Sequence, residues 1–158
     1  MLDGLMEVLQ QNAAMAEREK MNIALIAHDN RKELMVQYCT AYAGILSQHT
    51  LCATNITGKF IAGATGLNIR QFMSGAQGGE EQIGARISYN EIDLVIYFQD
   101  PNSPEYDEKI SYIAKLCDKN NIPFATNAAT AEALILGLER GDLDWRDIVN
   151  PKTKPMNT

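Results

Sequence analysis

Hydrophobic and polar positions change period along this chain. From Met21 onward, short apolar runs alternate with stretches in which apolar residues recur every three or four positions. The runs "NIALIA" (22–27), "TLCAT" (50–54), "LNIRQFM" (67–73), "DLVIYF" (93–98) and "IPFAT" (122–126) predict strands. The periodic stretches 31–46, 59–64, 79–89, 107–120 and 130–140 predict helices between them. Such regular alternation predicts an α/β domain in which one five-stranded parallel sheet is sandwiched by helices in three layers. Runs one and four are apolar throughout, as strands covered on both faces must be, whereas "LNIRQFM" alternates and suits an edge.

Ahead of this unit, Leu2, Leu5, Met6, Leu9 and Ala13 recur at helical spacing. Residues 1–20 therefore read as an added amphipathic helix that packs on the domain, on a neighbouring subunit or in a partner's groove. Residues 21–150 form the domain, and 151–158, "NPKTKPMNT" without its first residue, read as a frayed tail. A chain of 158 residues, 46% hydrophobic and 22% charged, suits one core rather than two.

Charge narrows the ligand class. A net charge of −6 without a Lys/Arg cluster gives no footprint for nucleic acid or an anionic membrane, although a small anion can still be held by local donors. No apolar run approaches the roughly 18 residues of a membrane span. Asp3 and Glu7 stand where a signal peptide would be basic, so a cytoplasmic location is expected. Cys39, Cys52 and Cys117 sit in apolar surroundings without metal-ligand spacing, which fits buried, reduced thiols.

In open α/β sheets the ligand site lies beyond the carboxyl ends of the strands. There the chain places His28, Asp29 and Lys32 in "AHDNRK" after the first run, a cation close to helix-start amides, with Asp29 equally suited to a plain helix N-cap. The second run ends in "ATNITGK", where Thr54, Asn55, Ile56 and Thr57 form a turn before Gly58. The third leads into "SGAQGGEEQ", where Ser74 and Gly75 precede two carboxylates at a helix start. Neither a Walker loop nor a dinucleotide fingerprint is present, so ATP and NAD are disfavoured. Anion-friendly loops gathered on one rim point to a small phosphorylated ligand.

Taken together, "IALIAHDNRK", "ATNITG", "ATGLNI", "SGAQGGEEQIGA", "DLVIYFQDP" and "IPFATNAATAE" resemble methylglyoxal synthase, in order from about Met21 to Val149. The resemblance implies a flavodoxin-like fold, a homohexamer, and conversion of dihydroxyacetone phosphate to methylglyoxal and inorganic phosphate without a metal or organic cofactor. It implies substrate and phosphate contacts from His28, Lys32, Thr54, Asn55, Ile56, Thr57, Ser74 and Gly75. Glu80 falls at the catalytic carboxylate, which removes a proton beside the carbonyl to give an enediolate that expels phosphate. Asp29 joins it as a catalytic candidate.

Departures from the family pattern fall in the same places. Glu80 replaces an aspartate, Ala76 a proline and Asn55 a glycine, and the loop after the fourth run is one residue shorter. Tyr106 falls at a histidine position and Lys109 near a carboxylate position, which makes Tyr106 or Asp107 the expected stand-in for the histidine. A glutamate reaches one methylene further, and a displacement of about 1 Å can cost on the order of a hundredfold in rate. Two other readings stay open here: a non-catalytic module that binds phosphate or a phosphorylated metabolite, and an assembly component that works through residues 1–20. His49 reads as a solvated loop histidine, Trp145 as a packing anchor or subunit contact, and Leu34, Met35, Tyr38 and Cys39 as core.

Overall fold

The computed structural model describes Gly4, Met6 and residues 20–149. The expected N-terminal helix falls outside the described residues except at those first two positions and Lys20, and the tail 151–158 falls outside them altogether. Strands β1 (Asn22–Ala27), β2 (Thr50–Ala53), β3 (Ile69–Gln71), β4 (Leu94–Phe98) and β5 (Phe124–Ala125) form one parallel sheet in the order β3-β2-β1-β4-β5. Between and after them run α1 (Lys32–Ala41), α2 (Ala43–Leu46), α3 (Asn55–Thr65), α4 (Gly79–Ser88), α5 (Tyr106–Lys119), α6 (Ala128–Arg140) and α7 (Arg146–Val149). This is the three-layer α/β arrangement that the alternation predicts, with the flavodoxin-like topology that the resemblance implies. The chain winds outward from β1 to β3 and then returns to β4 on the other side. The reversal between β1 and β4 opens the crevice where ligands of such folds bind.

Both faces of the sheet are dry. On one, Ile23, Leu25, Leu94, Ile96 and Phe98 pack against Met35, Tyr38 and Cys39 of α1, Ile61 of α3 and Ile135 of α6. On the other, Ala24, Ile26, Val95 and Tyr97 meet Ile83 and Ile87 of α4 and Ile113 and Cys117 of α5. Each fully buried Ile or Leu contributes roughly 1.5–3 kcal/mol relative to an exposed one, so β1 and β4 anchor the fold. The three cysteines are free and buried, as their surroundings predict, and burial pushes each thiol up to about 12.

Several boundaries differ from the sequence reading. The helix expected from residue 59 begins at Asn55, because Thr54 takes an extended N-cap conformation and its carbonyl accepts from Gly58 N at 2.8 Å. "TNITG" is thus a helical first turn rather than a free turn. The helix expected over 31–46 breaks at Tyr42, whose ψ of 23° leaves the helical range. The helix expected from residue 130 begins at Ala128, where Asn127 caps it by accepting from Thr130 N at 3.0 Å.

At the amino ends of the strands lies a buried ion pair that the sequence reading missed. Arg146 Nη1 donates to Asp93 Oδ1 at 2.6 Å, and both side chains are 1% exposed. The same guanidinium reaches the carbonyls of Asn121 and Asn120 and the side chain of Asn90, while Asp93 Oδ2 accepts from Asn22 N at 2.8 Å. Arg146, not its 45% exposed neighbour Trp145, anchors the start of α7 to the sheet. His49 is likewise more than a loop residue, for its Nδ1 accepts from Met21 N at 3.1 Å where β1 begins.

Candidate active site

A cavity of about 400 Å³ opens where β1 and β4 diverge, lined by His28, Asp29, Lys32, Thr54, Ile56, Ser74, Gly75, Glu80, Tyr97, Gln99, Glu105 and Lys109, over Ile26 and Ala27. Eight of the sequence-derived candidates therefore line one cavity: His28, Asp29, Lys32, Thr54, Ile56, Ser74, Gly75 and Glu80. Asn55 and Thr57 lie in the adjoining first turn of α3. Tyr106 and Asp107 do not line that cavity. Tyr106 lines a separate cavity of about 300 Å³ with Arg31, Phe98 and Asn127, and Asp107 is exposed in the first turn of α5. The helix phase decides this: α5 turns Glu105 and Lys109, four residues apart, toward the first cavity and Tyr106 away from it.

The left wall is a cradle of donors. His28 ends β1 with an extended backbone and caps the 3-10 turn Asp29–Arg31, its Nδ1 accepting from Asn30 N at 3.3 Å. The cap role open to Asp29 belongs to His28, and Asp29 pairs with Lys32 at 3.1 Å while its side chain stays 91% exposed. Lys32 Nζ also donates to the Ala27 carbonyl at 2.9 Å, which draws the ammonium in over the end of β1. Across from it, α3 starts with Asn55 N committed to the Met73 carbonyl at 3.3 Å. The amides of Ile56 and Thr57 belong to the first-turn donors that have no intrahelical acceptor, the arrangement that holds phosphate groups in many folds. Thr57 Oγ1 meets Thr54 Oγ1 at 3.2 Å and the Ala27 carbonyl at 3.4 Å, locking this turn to β1.

The right wall carries the carboxylate. Glu80 is 8% exposed in the first turn of α4, where the helix dipole favours negative charge. Gly79 makes that position possible: a Cβ there would lie 2.0 Å from the Met73 carbonyl oxygen, so only glycine lets the helix start this close to the end of β3. Tyr97, 1% exposed in β4, donates to Glu80 Oε1 at 2.5 Å. Lys109 Nζ donates to Oε2 at 3.0 Å and lies 3.8 Å from Glu105. Gln99 Nε2 donates to the Tyr97 oxygen at 3.4 Å and its Oε1 accepts from Asp100 N at 2.8 Å, which leaves the phenol proton for Glu80.

Burial, and then the bond to Glu80, push the Tyr97 phenol far above its ordinary value, so it is a neutral donor and not a base. Burial alone would lower Lys109, but its hydrogen bond to Glu80 and the surrounding carboxylates outweigh that and raise it, so the ammonium stays charged. Tyr97, Gln99 and Glu105 are site residues that sequence reasoning missed, and Lys109 was placed there only by position. The readable signal was a hydroxyl one residue from the end of an otherwise apolar strand. Among the described residues, no group of three or more His, Cys, Asp or Glu is placed to hold a metal ion. No helix among them is long and apolar enough to cross a membrane.

A buried carboxylate sharing a cavity with a lysine and helix-start amides suits removal of a proton from a small phosphorylated molecule, and comparison with known proteins gives the chain a family. A family model described as an MGS-like domain matches residues 35–126. The methylglyoxal synthase of Caldicellulosiruptor saccharolyticus is 56% identical over 133 residues, covering 84% of this chain and 94% of that one. That of Oceanobacillus iheyensis is 49% identical over 139 residues, covering 87% and 99%. The crystal structure of methylglyoxal synthase from Elizabethkingia anophelis NUHP1 matches with a TM-score of 0.68 at 37% identity, over 73% of this chain and 77% of that one. Cradle, carboxylate and strand order thus occur in a sequence 49–56% identical to two methylglyoxal synthases over more than four-fifths of its length, and the chain belongs to the methylglyoxal synthase family.

Proposed function

We propose that this chain converts dihydroxyacetone phosphate to methylglyoxal and inorganic phosphate, with Glu80 as the base. The observation that carries the reading is the buried Glu80 carboxylate, held by Tyr97 and Lys109, in one cavity with Lys32, Ser74, Gly75 and the start of α3. Lys32 and the amides of Ile56 and Thr57 hold the phosphate, with Ser74 and Gly75 closing over it and His28 beside the carbonyl. Fixing the phosphate sets the hydroxymethyl carbon at the carboxylate, a gain in proximity that weak binding alone does not supply.

Glu80 takes a proton from that carbon, and the electron pair moves to the carbonyl oxygen to give the enediolate. The hydroxyl on the deprotonated carbon then becomes the aldehyde: its proton is lost, the double bond shifts, and the carbon–oxygen bond to phosphate breaks. Phosphate leaves with the bonding pair and that proton. The remaining enolate recovers the first proton from Glu80 at its terminal carbon, which becomes the methyl group, and the carboxylate is restored. A homohexamer in the cytoplasm belongs to the same reading, and exposed apolar side chains such as Trp145, Ile148 and Tyr89 favour association of subunits.

Incubation of the protein with dihydroxyacetone phosphate releases methylglyoxal and phosphate in equal amounts. Glu80→Gln keeps the shape and removes the base, so release falls by at least about a hundredfold. A wild-type protein that binds phosphate yet releases no methylglyoxal overturns the reading in favour of a binding module.

A further inference from the structure

Burying a carboxylate requires partners for its two oxygens, and the partners of Glu80 differ in kind. Tyr97 comes from the middle of the sheet, is 1% exposed, and has its own oxygen held by Gln99. Nothing about it can move without disturbing the core. Lys109 comes from α5 with its side chain 34% exposed and reaches Glu80 from the open side of the cavity. The two oxygens are therefore not equivalent. Oε1 is turned inward to the phenol, whereas Oε2 lies beside the substrate loop, since a Cβ built on Gly75 would sit 3.4 Å from it. The oxygen that faces the cradle is the one that Lys109 touches.

Resting on the assignment of Glu80 as base, we propose that Tyr97 positions the carboxylate through Oε1 and that Lys109 is a catalytic cation that stabilises the enediolate oxygen. Three facts converge on Lys109. It lines the same cavity as the phosphate cradle. Lys32, the cavity's other lysine, is tied to the Ala27 carbonyl and Asp29, on the phosphate side. And an ammonium carries three donors, of which Glu80 Oε2 takes one at 3.0 Å, leaving others for an oxygen bound beside it.

The electrostatics follow the reaction. Before proton transfer the negative charge sits on Glu80, and afterwards it sits on the former carbonyl oxygen. A cation in contact with both positions faces the charge throughout, so little has to reorganise as the proton moves. No proton leaves Lys109: it supplies charge and a hydrogen bond, while the carbon-bound proton passes through Glu80 and the hydroxyl proton leaves with phosphate. Tyr97, neutral and with its phenol proton on Oε1, acts by holding that oxygen, so that Oε2 beside Gly75 keeps a lone pair for the substrate.

The test compares full-length wild type, Lys109→Met, Lys109→Arg and Tyr97→Phe with dihydroxyacetone phosphate, protonated or deuterated at the hydroxymethyl carbon. Removing one preorganised donor of this kind costs about 10²–10³ in kcat. Lys109→Met is expected to show that loss with KM changed less than about threefold, a larger deuterium effect on kcat, and partial recovery in Lys109→Arg or on addition of ethylamine. Tyr97→Phe is expected to lower kcat by about tenfold, without amine rescue. Lys109→Met with wild-type kcat, or with KM alone raised, overturns the role of Lys109 and leaves Glu80 as base intact. Absence of turnover in the wild type instead overturns the functional reading, and this inference with it.

Discussion

Two ion pairs stand at opposite ends of β4, Asp93–Arg146 and Glu80–Lys109, and they are built to opposite plans. Asp93, just before the strand, and Arg146 are each 1% exposed and share their remaining hydrogen-bonding capacity among Asn22, Asn90, Asn120 and Asn121. Glu80, bonded to Tyr97 near the strand's other end, meets a lysine that is 34% exposed and opens on a cavity. A fully bonded, water-free pair fixes architecture, because removing one partner strands the other charge. A pair with donors left over on its open side is available to a ligand. Burial of an ion pair alone does not mark a functional site; the side on which hydrogen bonds are still free does.

Three measurements bear on that contrast. The largest effect is expected from Arg146→Met, which leaves Asp93 buried without its cation and lowers unfolding stability in urea by about 3–5 kcal/mol. Combining it with Asp93→Asn removes the stranded charge and returns part of the loss, while Lys109→Met, which leaves Glu80 Oε1 bonded to Tyr97 and Oε2 on the cavity, costs less, about 1–2 kcal/mol. Equal losses at the two ends would break the distinction.

A smaller effect is expected from Gly84→Ala. Gly84 is where α4 and α5 press together, and a Cβ there would lie 2.4 Å from Tyr112 Oη. Because the Tyr112 ring is 42% exposed and can swing outward, the loss in urea stability is about 1 kcal/mol. The displaced ring accounts for most of the loss, so Tyr112→Ala in the same chain restores most of the stability.

The smallest effect within ordinary buffers concerns the dry interior between the two pairs. Cys39, Cys52 and Cys117 are raised from 9.0 to about 12 by burial. Above about pH 9 the unfolded chain loses thiol protons that the folded chain keeps, so stability present below that pH is lost as pH rises toward about 12. Melting temperature followed from pH 7 to 10 should be level at first and decline only past pH 9, less steeply in Cys52→Ala.

Much of this was legible in the sequence, for stated physical reasons. β1 and β4 announce themselves as continuous apolar runs because both their faces are covered, and the cradle residues cluster because each follows a strand. Lost from view was whatever depends on rotation about an axis. Glu105 and Tyr106 are neighbours, yet α5 sends one to the cavity and the other to a different wall, and a loop one residue shorter gives no hint which. Tyr97 reads as core until the sheet shows that it shares a face with Val95 and α4. "TNITG" reads as a turn because threonine and glycine are poor helix formers, while the packing of α3 on the sheet overrides that preference. Trp145 is 45% exposed, which sets aside its reading as a packing anchor and leaves its reading as a subunit contact, while the buried anchor beside it is Arg146.

The sheet's outer strands bear on how the protein behaves when concentrated. β3 has three residues and β5 two, and β3 carries Arg70 at its centre. Edges this short, one of them charged, offer an incoming strand few backbone bonds and a cation to desolvate. Among the described residues the long apolar strands lie in the middle and each flank ends almost at once, so this sheet can be crowded with its own copies while offering them little template along which to zip into fibrils.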